Sequence, residues 1–258
     1  MTVSLVTGGA GFIGSHIVEK LLNIGHKVKC IDNEYSDNES FYWNSNSENF
    51  KLDINDYTSI RHIFDDVDYV FHCAAEARIG PAIKNPIKAV HNNVTGTCSV
   101  LQCSREANVK KFIYSSTSSG YGNNPCPNVE DQPDDCLNPY SVSKVAGEKL
   151  CKMYTELFAL KTIIFRYFNV FGERAPTTGQ YSPVTGIFFR QRKAGEPLTI
   201  VGDGKQRRDF IYVGDIAEAN ILAATSSLND KDYGEIYNIG SGKNISINEI
   251  ANFISKNI

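Results

Sequence analysis

The sequence predicts an α/β fold, a doubly wound parallel sheet followed by a smaller, shortened carboxyl-terminal lobe. Short apolar runs alternate with segments of helical periodicity along most of the chain, and a glycine-rich turn joins the first strand to the first helix. The 258 residues are enough for one large α/β domain with a small lobe. We expect the sheet domain in residues 1–168, with residues 207–225 returning to it, and the partial lobe in residues 169–258.

The first two strands and the helix between them form a βαβ unit. Val3–Thr7 is apolar and reads as a strand, the helical pattern runs over residues 15–23, and residues 27–31 form the second strand. Strand, glycine turn, helix and strand follow one another here, which is the context that a dinucleotide-binding turn requires.

The glycine turn of this unit is typical of a dinucleotide site. Gly8 allows a tight turn, Gly11 lets the backbone approach a pyrophosphate, and Gly14 lets the helix pack on the strand. The helix amino terminus then offers N–H groups to the phosphates. Asp32 follows Gly14 by 18 residues and can accept hydrogen bonds from the ribose hydroxyls of adenosine. Because its charge repels a 2′-phosphate, we expect NAD rather than NADP. The alternative is a glycine-rich turn without a ligand.

Strands and helices continue to alternate up to residue 168. The predicted elements are a strand at 50–52, a polar helix at 57–64, strands at 68–73, 111–115 and 162–168, and a helix around 86–107. Ala74 and Ala75 follow the strand at 68–73, and such small residues suit the close approach of a cofactor. A run of serine and threonine follows the strand at 111–115, which favours a strand-end site over a flexible linker.

Tyr140 and Lys144 lie four residues apart at the start of a predicted helix, which Pro139 is suited to open. Positions i and i+4 share one helix face, and an ammonium beside a phenol favours the phenolate, which can act as a base. Thr117 precedes Tyr140 by 23 residues at a strand end, so that hydroxyl, phenol and ammonium can form a relay. Taken alone, the pair is more often explained by an exposed tyrosine and lysine on a solvated helix face.

Beyond residue 168 the pattern changes to loops, turns and short strands. A loop rich in proline, glycine and threonine at 174–183 precedes a helix at Val184–Lys193, and Arg207 and Arg208 follow. Arginine suits bidentate phosphate contacts, although such a pair is often ordinary surface charge. We expect a small lobe over the cleft, and we assign no ligand role to residues 180–183.

Taken together, these motifs resemble the extended short-chain dehydrogenase/reductases, and among them the UDP-hexose 4-epimerases of the UDP-galactose 4-epimerase type. The resemblance covers the whole chain and implies a Rossmann-type fold, bound NAD, a UDP-sugar substrate and inversion at C4 through a 4-keto intermediate. It implies that Tyr140 is the catalytic base, that Lys144 lowers the pKa of Tyr140 and holds the nicotinamide ribose, and that Thr117 fills the catalytic hydroxyl position. The positions that match the family's NAD contacts are Gly8, Gly11, Phe12, Ile13, Gly14, Asp32, Asn33, Asp53, Ile54, Ala74, Ala75, Asn93, Ser115, Tyr140, Lys144 and Tyr167. The positions that match its substrate contacts are Thr117, Asn169 and Arg208.

Two alternatives stay open within this resemblance. Nucleotide-sugar 4,6-dehydratases and decarboxylases carry an acid after the active-site hydroxyl, whereas Ser118, Ser119 and Gly120 follow Thr117 here, which favours simple epimerisation. A non-catalytic NAD-binding scaffold on the same fold is an alternative of another class. Members of the family continue past the position of Ile258 with segments that contact the sugar, so the choice among glucose or galactose, N-acetyl forms and uronic acids stays open.

Composition excludes several classes of partner. The formal net charge is −3 and no basic stripe is present, so the chain does not favour nucleic acid. No apolar run is long enough to span a bilayer, and the first strand leaves no room for a signal peptide. Seven scattered cysteines without a Cys-x-x-Cys pair indicate thiols, not disulfides or a metal site. We therefore expect a cytoplasmic enzyme, and the resemblance implies a homodimer formed by helices near 93–107 and 140–154.

Overall fold

A seven-stranded parallel sheet forms the centre of the computed structural model, which describes residues 1–35, 40–177 and 183–257. The strands of the chain are β1 (Val3–Thr7), β2 (Lys27–Asp32), β3 (Glu48–Lys51), β4 (Tyr69–His72), β5 (Lys111–Thr117), β6 (Thr162–Tyr167), β7 (Asn169–Phe171), β8 (Arg207–Tyr212), β9 (Ile236–Ile239) and β10 (Asn244–Ser246). The large sheet has the order β3-β2-β1-β4-β5-β6-β9, and every pairing in it is parallel. The order reverses between β1 and β4, which confirms the predicted doubly wound α/β fold.

Helices cover both faces of this sheet. The helices are α1 (Phe12–Asn23), α2 (Tyr57–Ile60), α3 (Ile79–Lys84), α4 (Pro86–Val90), α5 (Gly96–Glu106), α6 (Pro139–Phe158), α7 (Val184–Lys193), α8 (Val213–Thr225) and α9 (Ile247–Asn257). Leu21 of α1 and Ile216 of α8 share one apolar cluster with the sheet, and Val100 of α5 and Tyr154 of α6 share the other. Because both faces are covered, every residue of β5 is buried.

The small lobe is built on a second sheet in which β8 lies parallel to β7 and antiparallel to β10. Of the predicted return at 207–225, β8 belongs to this small sheet, whereas α8 packs against α1 beneath the large sheet. β9 also returns to the large sheet, beside β6, from within the range predicted for the lobe. We therefore propose that the sheet domain comprises residues 1–168 and 213–239, and that residues 169–212 and 240–258 form the lobe.

Several predicted boundaries shift in ways that bear on the site. α1 begins at Phe12 rather than at residue 15, because the glycine turn closes with Gly11 as the extended N-cap. A π-helical turn, His91–Thr95, separates α4 from α5 within the single helix predicted at 86–107. β5 extends two residues beyond its predicted end, since Thr117 still pairs with Tyr167 of β6. The hydroxyl run thus ends on the rim of the sheet.

In the parts of the chain that the structure describes, no helix is long and apolar enough to cross a bilayer. Within the same parts, no group of three or more histidine, cysteine or carboxylate side chains is arranged to hold a metal ion. The cysteines are free thiols. Of the segment 180–183, to which no ligand role was assigned, residues 180–182 lie outside the described residues.

Candidate active site

A cavity of about 810 Å³ opens at the carboxyl ends of the parallel strands and is roofed by the small lobe. It lies where the strand order reverses, which is the usual ligand position in a doubly wound fold. The residues of the predicted site that line it are Gly8, Gly11, Phe12, Ile13, Gly14, Asp32, Asn33, Asp53, Ile54, Ala74, Ala75, Ser115, Thr117, Tyr140, Lys144, Tyr167, Asn169 and Arg208. The fold therefore gathers residues that are far apart in the sequence into one space.

The glycine turn between β1 and α1 leaves no room for side chains. Gly8 has a φ of +68°, and a Cβ added there would lie 2.7 Å from the backbone nitrogen of Ala74. A Cβ at Gly14 would collide with the carbonyl group of Gly8. Gly11, the N-cap of α1, provides no side-chain cap, so the N–H groups of the first helical turn lie open to the cavity that Phe12 and Ile13 also line. This cradle fits a pyrophosphate at a helix amino terminus.

The carboxylates of Asp32 and Asp53 form the adenosine end of the cavity. Asp32 accepts hydrogen bonds from the backbone N–H groups of Glu34, at 2.8 Å, and Ala10, at 3.1 Å. Burial raises the pKa of Asp32, and these N–H donors oppose that shift. Asn33 donates through Nδ2 to Asp53 at 3.1 Å. The arrangement presents fixed acceptors of the kind that ribose hydroxyls need, and together with the glycine cradle it fits NAD.

Thr117 and Tyr140 meet because β5 ends where α6 begins. Asn138 caps α6 by accepting the N–H of Ser141 at 2.9 Å, and Pro139 occupies the first helical turn. The Oγ1 of Thr117 accepts the N–H of Ser119 at 3.1 Å, which leaves the hydroxyl proton for the hydrogen bond between Thr117 and Tyr140. The hydroxyl therefore donates toward the phenol oxygen, and this bond lowers the pKa of Tyr140.

The electrostatics of Tyr140 and Lys144 differ from the prediction. Burial is the main influence on Tyr140 and raises its pKa, the hydrogen bond from Thr117 lowers it, and the carboxylate of Glu76 raises it. Lys144 is 3% exposed, its Nζ lies 4.2 Å from the centre of the Tyr114 ring, and burial lowers its pKa to about 8. The expected lowering of the pKa of Tyr140 is thus not the net result, because burial penalises both charged forms.

Asn93 lies behind the cavity wall rather than in it. It is fully buried, its Oδ1 accepts the N–H of Glu76 at 2.7 Å, and its Nδ2 donates to the carbonyl of Glu76 at 3.0 Å and to Oγ of Ser143 at 2.9 Å. Ser143 in turn donates to the carbonyl of Tyr140 at 2.8 Å. Both amide hydrogens are therefore committed, and Asn93 joins the chain after β4 to the first turn of α6; the cofactor contact predicted for it stays a prediction.

Ser115 and Tyr167, which line the cavity, belong to a row of hydrogen-bonded side chains that also includes Cys73 and Asn220. The Oγ of Ser115 lies 3.2 Å from the hydroxyl of Tyr167 and 3.2 Å from Sγ of Cys73. Asn220 of α8 donates to the hydroxyl of Tyr167 at 2.7 Å. Burial raises the pKa of the Cys73 thiol to about 11, so this thiol stays protonated. These hydrogen bonds hold the hydroxyls of Ser115 and Tyr167 in place at the cavity wall, and each hydroxyl has a hydrogen-bond partner.

Asn169 and Arg208 enter the cavity from the small sheet. Asn169 of β7 donates through Nδ2 to the carbonyl of Asp209 at 2.8 Å, and Arg208 of β8 is exposed, with one nitrogen donating to the carbonyl of Arg207 at 2.7 Å. A guanidinium at the cavity wall suits a phosphate group.

The sequence did not identify three charged residues of this region, which are Glu76, Arg166 and Glu148. Glu76 lines the cavity and is 9% exposed. Arg166 of β6 is 1% exposed and donates to Glu148 of α6 from Nε at 2.9 Å and from Nη2 at 2.7 Å. The available signal for Glu76 was its place as a carboxylate just after an apolar strand and two small residues. No local sequence signal marks the Arg166–Glu148 pair, because its two members are far apart in the sequence.

The chain is similar to known proteins along most of its length. Residues 4–240 match the model of the NAD dependent epimerase/dehydratase family. The UDP-N-acetyl-alpha-D-glucosaminuronate decarboxylase of Bacillus cytotoxicus is 38% identical over 257 residues, with 96% of this chain and 77% of that protein covered.

Solved structures agree with this match. UDP-glucose 4-epimerase of Thermotoga maritima, with UDP-glucose, has a TM-score of 0.92 at 34% identity and covers 99% of this chain and 82% of its own. The structure of UDP-glucuronic acid 4-epimerase of Bacillus cereus, in complex with UDP-glucuronic acid and NAD, has a TM-score of 0.89 at 32% identity. The match covers 99% of this chain and 82% of that protein. The chain therefore belongs to the NAD-dependent epimerase/dehydratase family, and its cofactor is NAD.

Proposed function

We propose that this chain inverts C4 of a UDP-hexose, in the glucose/galactose or N-acetyl series, through a 4-keto intermediate. The observation that carries the proposal is that Thr117, Tyr140 and Lys144 line the same cavity as the glycine cradle and Asp32. A base beside the cofactor is what removal of a hydroxyl proton and a hydride from one carbon requires. The similarity to an epimerase with UDP-glucose supports the choice of a sugar nucleotide.

Tyr140 acts as the base that takes the proton of the sugar 4-hydroxyl, and Thr117 stabilises the resulting charge by its hydrogen bond. Because burial disfavours the phenolate, positive charge must offset that cost, and Lys144, one turn further along α6, provides it while protonated. When bound against the glycine cradle and Asp32, NAD would supply the reversible hydride acceptor that oxidation and re-reduction at C4 require. Tyr140 then gives its proton back to the oxygen, so the enzyme ends the cycle unchanged.

Asn169 and Arg208 hold the diphosphate while the keto sugar turns. Both residues come from the small sheet, across the cavity from the strand ends that carry Thr117 and the glycine cradle. A substrate anchored by its diphosphate keeps C4 near Tyr140 in either orientation of the ring. The intermediate therefore reacts without leaving the site and diffusing back. Inversion therefore needs one fixed end and one free end of the substrate.

The test is NMR of the sugar signals after the purified chain is mixed with UDP-galactose, UDP-N-acetylgalactosamine or UDP-galacturonate. We expect the gluco epimer to appear from a neutral sugar and to be absent with Tyr140→Phe, which keeps the ring and removes the hydroxyl. Circular dichroism of the variant, together with its NAD content, shows that the fold and cofactor site are intact.

The same spectra separate the alternatives. A decarboxylase or dehydratase would give a pentose or a 4-keto-6-deoxy sugar, and the similarity to the decarboxylase of Bacillus cytotoxicus makes this the second candidate. Ser118 and Ser119, where those enzymes are expected to carry an acid, argue against it. Bound NAD without turnover of any sugar would refute the proposal and leave the scaffold alternative.

A further inference from the structure

The last three residues of β5, Ser115–Thr117, extend beyond the neighbouring strand β4. β4 pairs with β5 only as far as His72 opposite Tyr114, whereas β6 pairs with β5 up to Thr117 opposite Tyr167. Among the described residues, the end of β5 therefore has a strand partner on one side alone. Segments with few backbone hydrogen bonds open most readily, so the position of Thr117 depends on the side chains that anchor this strand end.

Ser116 connects this strand end to α6. Its Oγ donates to Oε1 of Glu148, and both residues are almost completely buried. A hydrogen bond to a carboxylate is stronger than one between neutral groups, and burial keeps water from competing for the acceptor. Since Ser116 and Thr117 are consecutive, the bond from Ser116 to α6 fixes the backbone from which Thr117 reaches the cavity.

Glu148 is itself held by the sheet. Arg166 of β6 lies directly opposite Ser116 in the register of β5 and β6, and it donates to Glu148 from Nε at 2.9 Å and from Nη2 at 2.7 Å. Oε1 of Glu148 thus accepts from both strands, and Oε2 accepts from Arg166. The carboxylate cannot turn away from this cross-strand pair without leaving a buried charge unpaired, so α6 and the end of β5 keep a constant spacing.

The turn that follows Thr117 lies against the same helix. A Cβ added at Gly120 would lie 2.9 Å from Cγ2 of Val145, so the backbone of the turn Ser118–Tyr121 approaches α6 as closely as a glycine permits. At the start of α6, the hydroxyl of Thr117 donates to the phenol oxygen of Tyr140. A hydrogen bond weakens steeply as its geometry departs from the ideal, so a change in the spacing of β5 and α6 would weaken this one.

We propose that Ser116 is a positioning residue, which keeps Thr117 within hydrogen-bonding distance of Tyr140 through its own bond to Glu148. The inference rests on the proposed function and deepens it, because it assigns the geometry of Thr117 and Tyr140 to a side chain that takes no part in the chemistry. Thr117 stabilises charge that develops on Tyr140 during the reaction, so a displaced Thr117 lowers the rate rather than the affinity for substrate.

The first test reports on the phenol of Tyr140 without a substrate. The tyrosines of the NAD-loaded protein are labelled with carbon-13 at Cζ, and the NMR signal of Tyr140 is identified by its loss in Tyr140→Phe. Thr117→Val, which removes the hydroxyl, gives the change in chemical shift that loss of the hydrogen bond produces. We expect Ser116→Ala to move the Tyr140 signal in the same direction and by at least about half as much.

Ser104→Ala is the matched control. Ser104 of α5 is fully buried, lies outside the cavity lining and donates to the carbonyl of Val100 at 2.7 Å. Its replacement removes one buried hydrogen bond of a serine, as Ser116→Ala does, and should leave the Tyr140 signal unchanged. Circular dichroism and NAD content show that each variant is folded. If Ser116→Ala does not fold, Ser116→Cys, which has a weaker donor, takes its place with the same expectation.

Turnover is the second test. With a sugar nucleotide that the wild-type chain epimerises, Ser116→Ala should lower kcat at least about tenfold and change KM by less than about twofold, because the displaced hydrogen bond acts in the transition state. A purely structural role of Ser116 would lower the stability in urea and leave kcat of the folded variant unchanged.

A Tyr140 signal that Ser116→Ala leaves in place overturns the inference, even if epimerisation is found. The same holds if Thr117→Val does not move the signal, since no hydrogen bond then joins Thr117 to Tyr140. An unchanged kcat in an active enzyme overturns it as well. A signal that shifts as expected supports the inference even if the wild-type chain epimerises no sugar, in which case only the proposed function fails.

Discussion

Tyr140 and Lys144, two ionisable side chains that line the cavity, are buried where their charged forms are costly. Burial raises the pKa of Tyr140 and lowers that of Lys144 to about 8. Active sites often contain buried ionisable groups of this kind, and their burial commonly lowers the stability of the folded protein. The ring of Tyr114 beneath Lys144 recovers part of that cost through a cation–π contact.

Replacing Lys144 by methionine should therefore stabilise the fold while abolishing turnover. The pKa of Lys144 falls from an ordinary 10.5 to about 8 on folding, which corresponds to about 3 kcal/mol at neutral pH. Below about pH 8 the native and unfolded chains both carry the ammonium, so the cost is present in full. Between about pH 8 and 10.5 the unfolded chain keeps a proton that the native chain has lost, so the wild type gains stability relative to the variant as the pH rises.

Urea unfolding of wild type and Lys144→Met across about pH 7 to 10.5 measures this difference directly. Taking the difference cancels the other groups that titrate in the range. Lys152→Met, on the same helix but partly exposed, should show no comparable trend. A variant that is less stable than wild type at neutral pH would mean that the contacts of Lys144 outweigh the cost of its burial.

At the scale of elements, the start of α6 is held against the sheet by a buried ion-pair network. Arg166 of β6 bonds Glu148 of α6 through two nitrogens and also bonds Asp134, at 2.7 Å. Ser116, next to Thr117, donates to Glu148. The network thus joins β5, the strand that carries Thr117, to α6, the helix that carries Tyr140, at a point one turn beyond Lys144.

Removing one charge of the Arg166–Glu148 pair should lower the free energy of unfolding more than removing both charges. Arg166→Met leaves the carboxylate of Glu148 buried without its partner, and we expect a loss of about 3–5 kcal/mol in the free energy of unfolding. Arg166→Met/Glu148→Met removes both charges, and should recover at least about half of that loss. Urea denaturation of Arg166→Met, Glu148→Met and the double variant gives the coupling energy. Additive losses would show that the pair does not act as a unit.

The parts of the site that could be predicted from the sequence are those encoded within one element or one turn. The glycine cradle, Asp32 at the end of β2, and the spacing of Tyr140 and Lys144 are local patterns, and all of them line the cavity. The bonds of Asn93 and the place of Glu76 could not be predicted, because they depend on a π-helical turn and on contacts between the chain after β4 and α6. β9 was assigned to the lobe rather than to the large sheet for a similar reason, since its pairing with β6 joins segments that are distant in the chain.

At the scale of the whole molecule, an aliphatic stripe lies exposed beside the helices predicted to form a dimer. This stripe comprises Ile79 and Ile83 of α3 and Ile87 and Val90 of α4, which are 43%, 59%, 83% and 43% exposed; the non-helical residue Asn85 separates the two helices. α3 and α4, which carry this stripe, pack against α6, one of the predicted interface helices. Contiguous exposed aliphatic side chains of this kind mark association surfaces, and a second copy of the chain presents a matching stripe under two-fold symmetry.

We therefore expect a dimer in solution that a charge in this stripe dissociates. Light scattering at micromolar concentration should give twice the mass of one chain for the wild type and one mass for Ile83→Glu/Ile87→Glu, because burying two carboxylates against their symmetry mates is costly. Leu222→Glu, at a 53% exposed position of α8 on the other face of the sheet, is the matched control and should remain a dimer. The cavity is lined within one chain, so the monomeric variant should retain bound NAD. A wild-type monomer would contradict the dimer, and a dimeric double variant would place the interface on another surface.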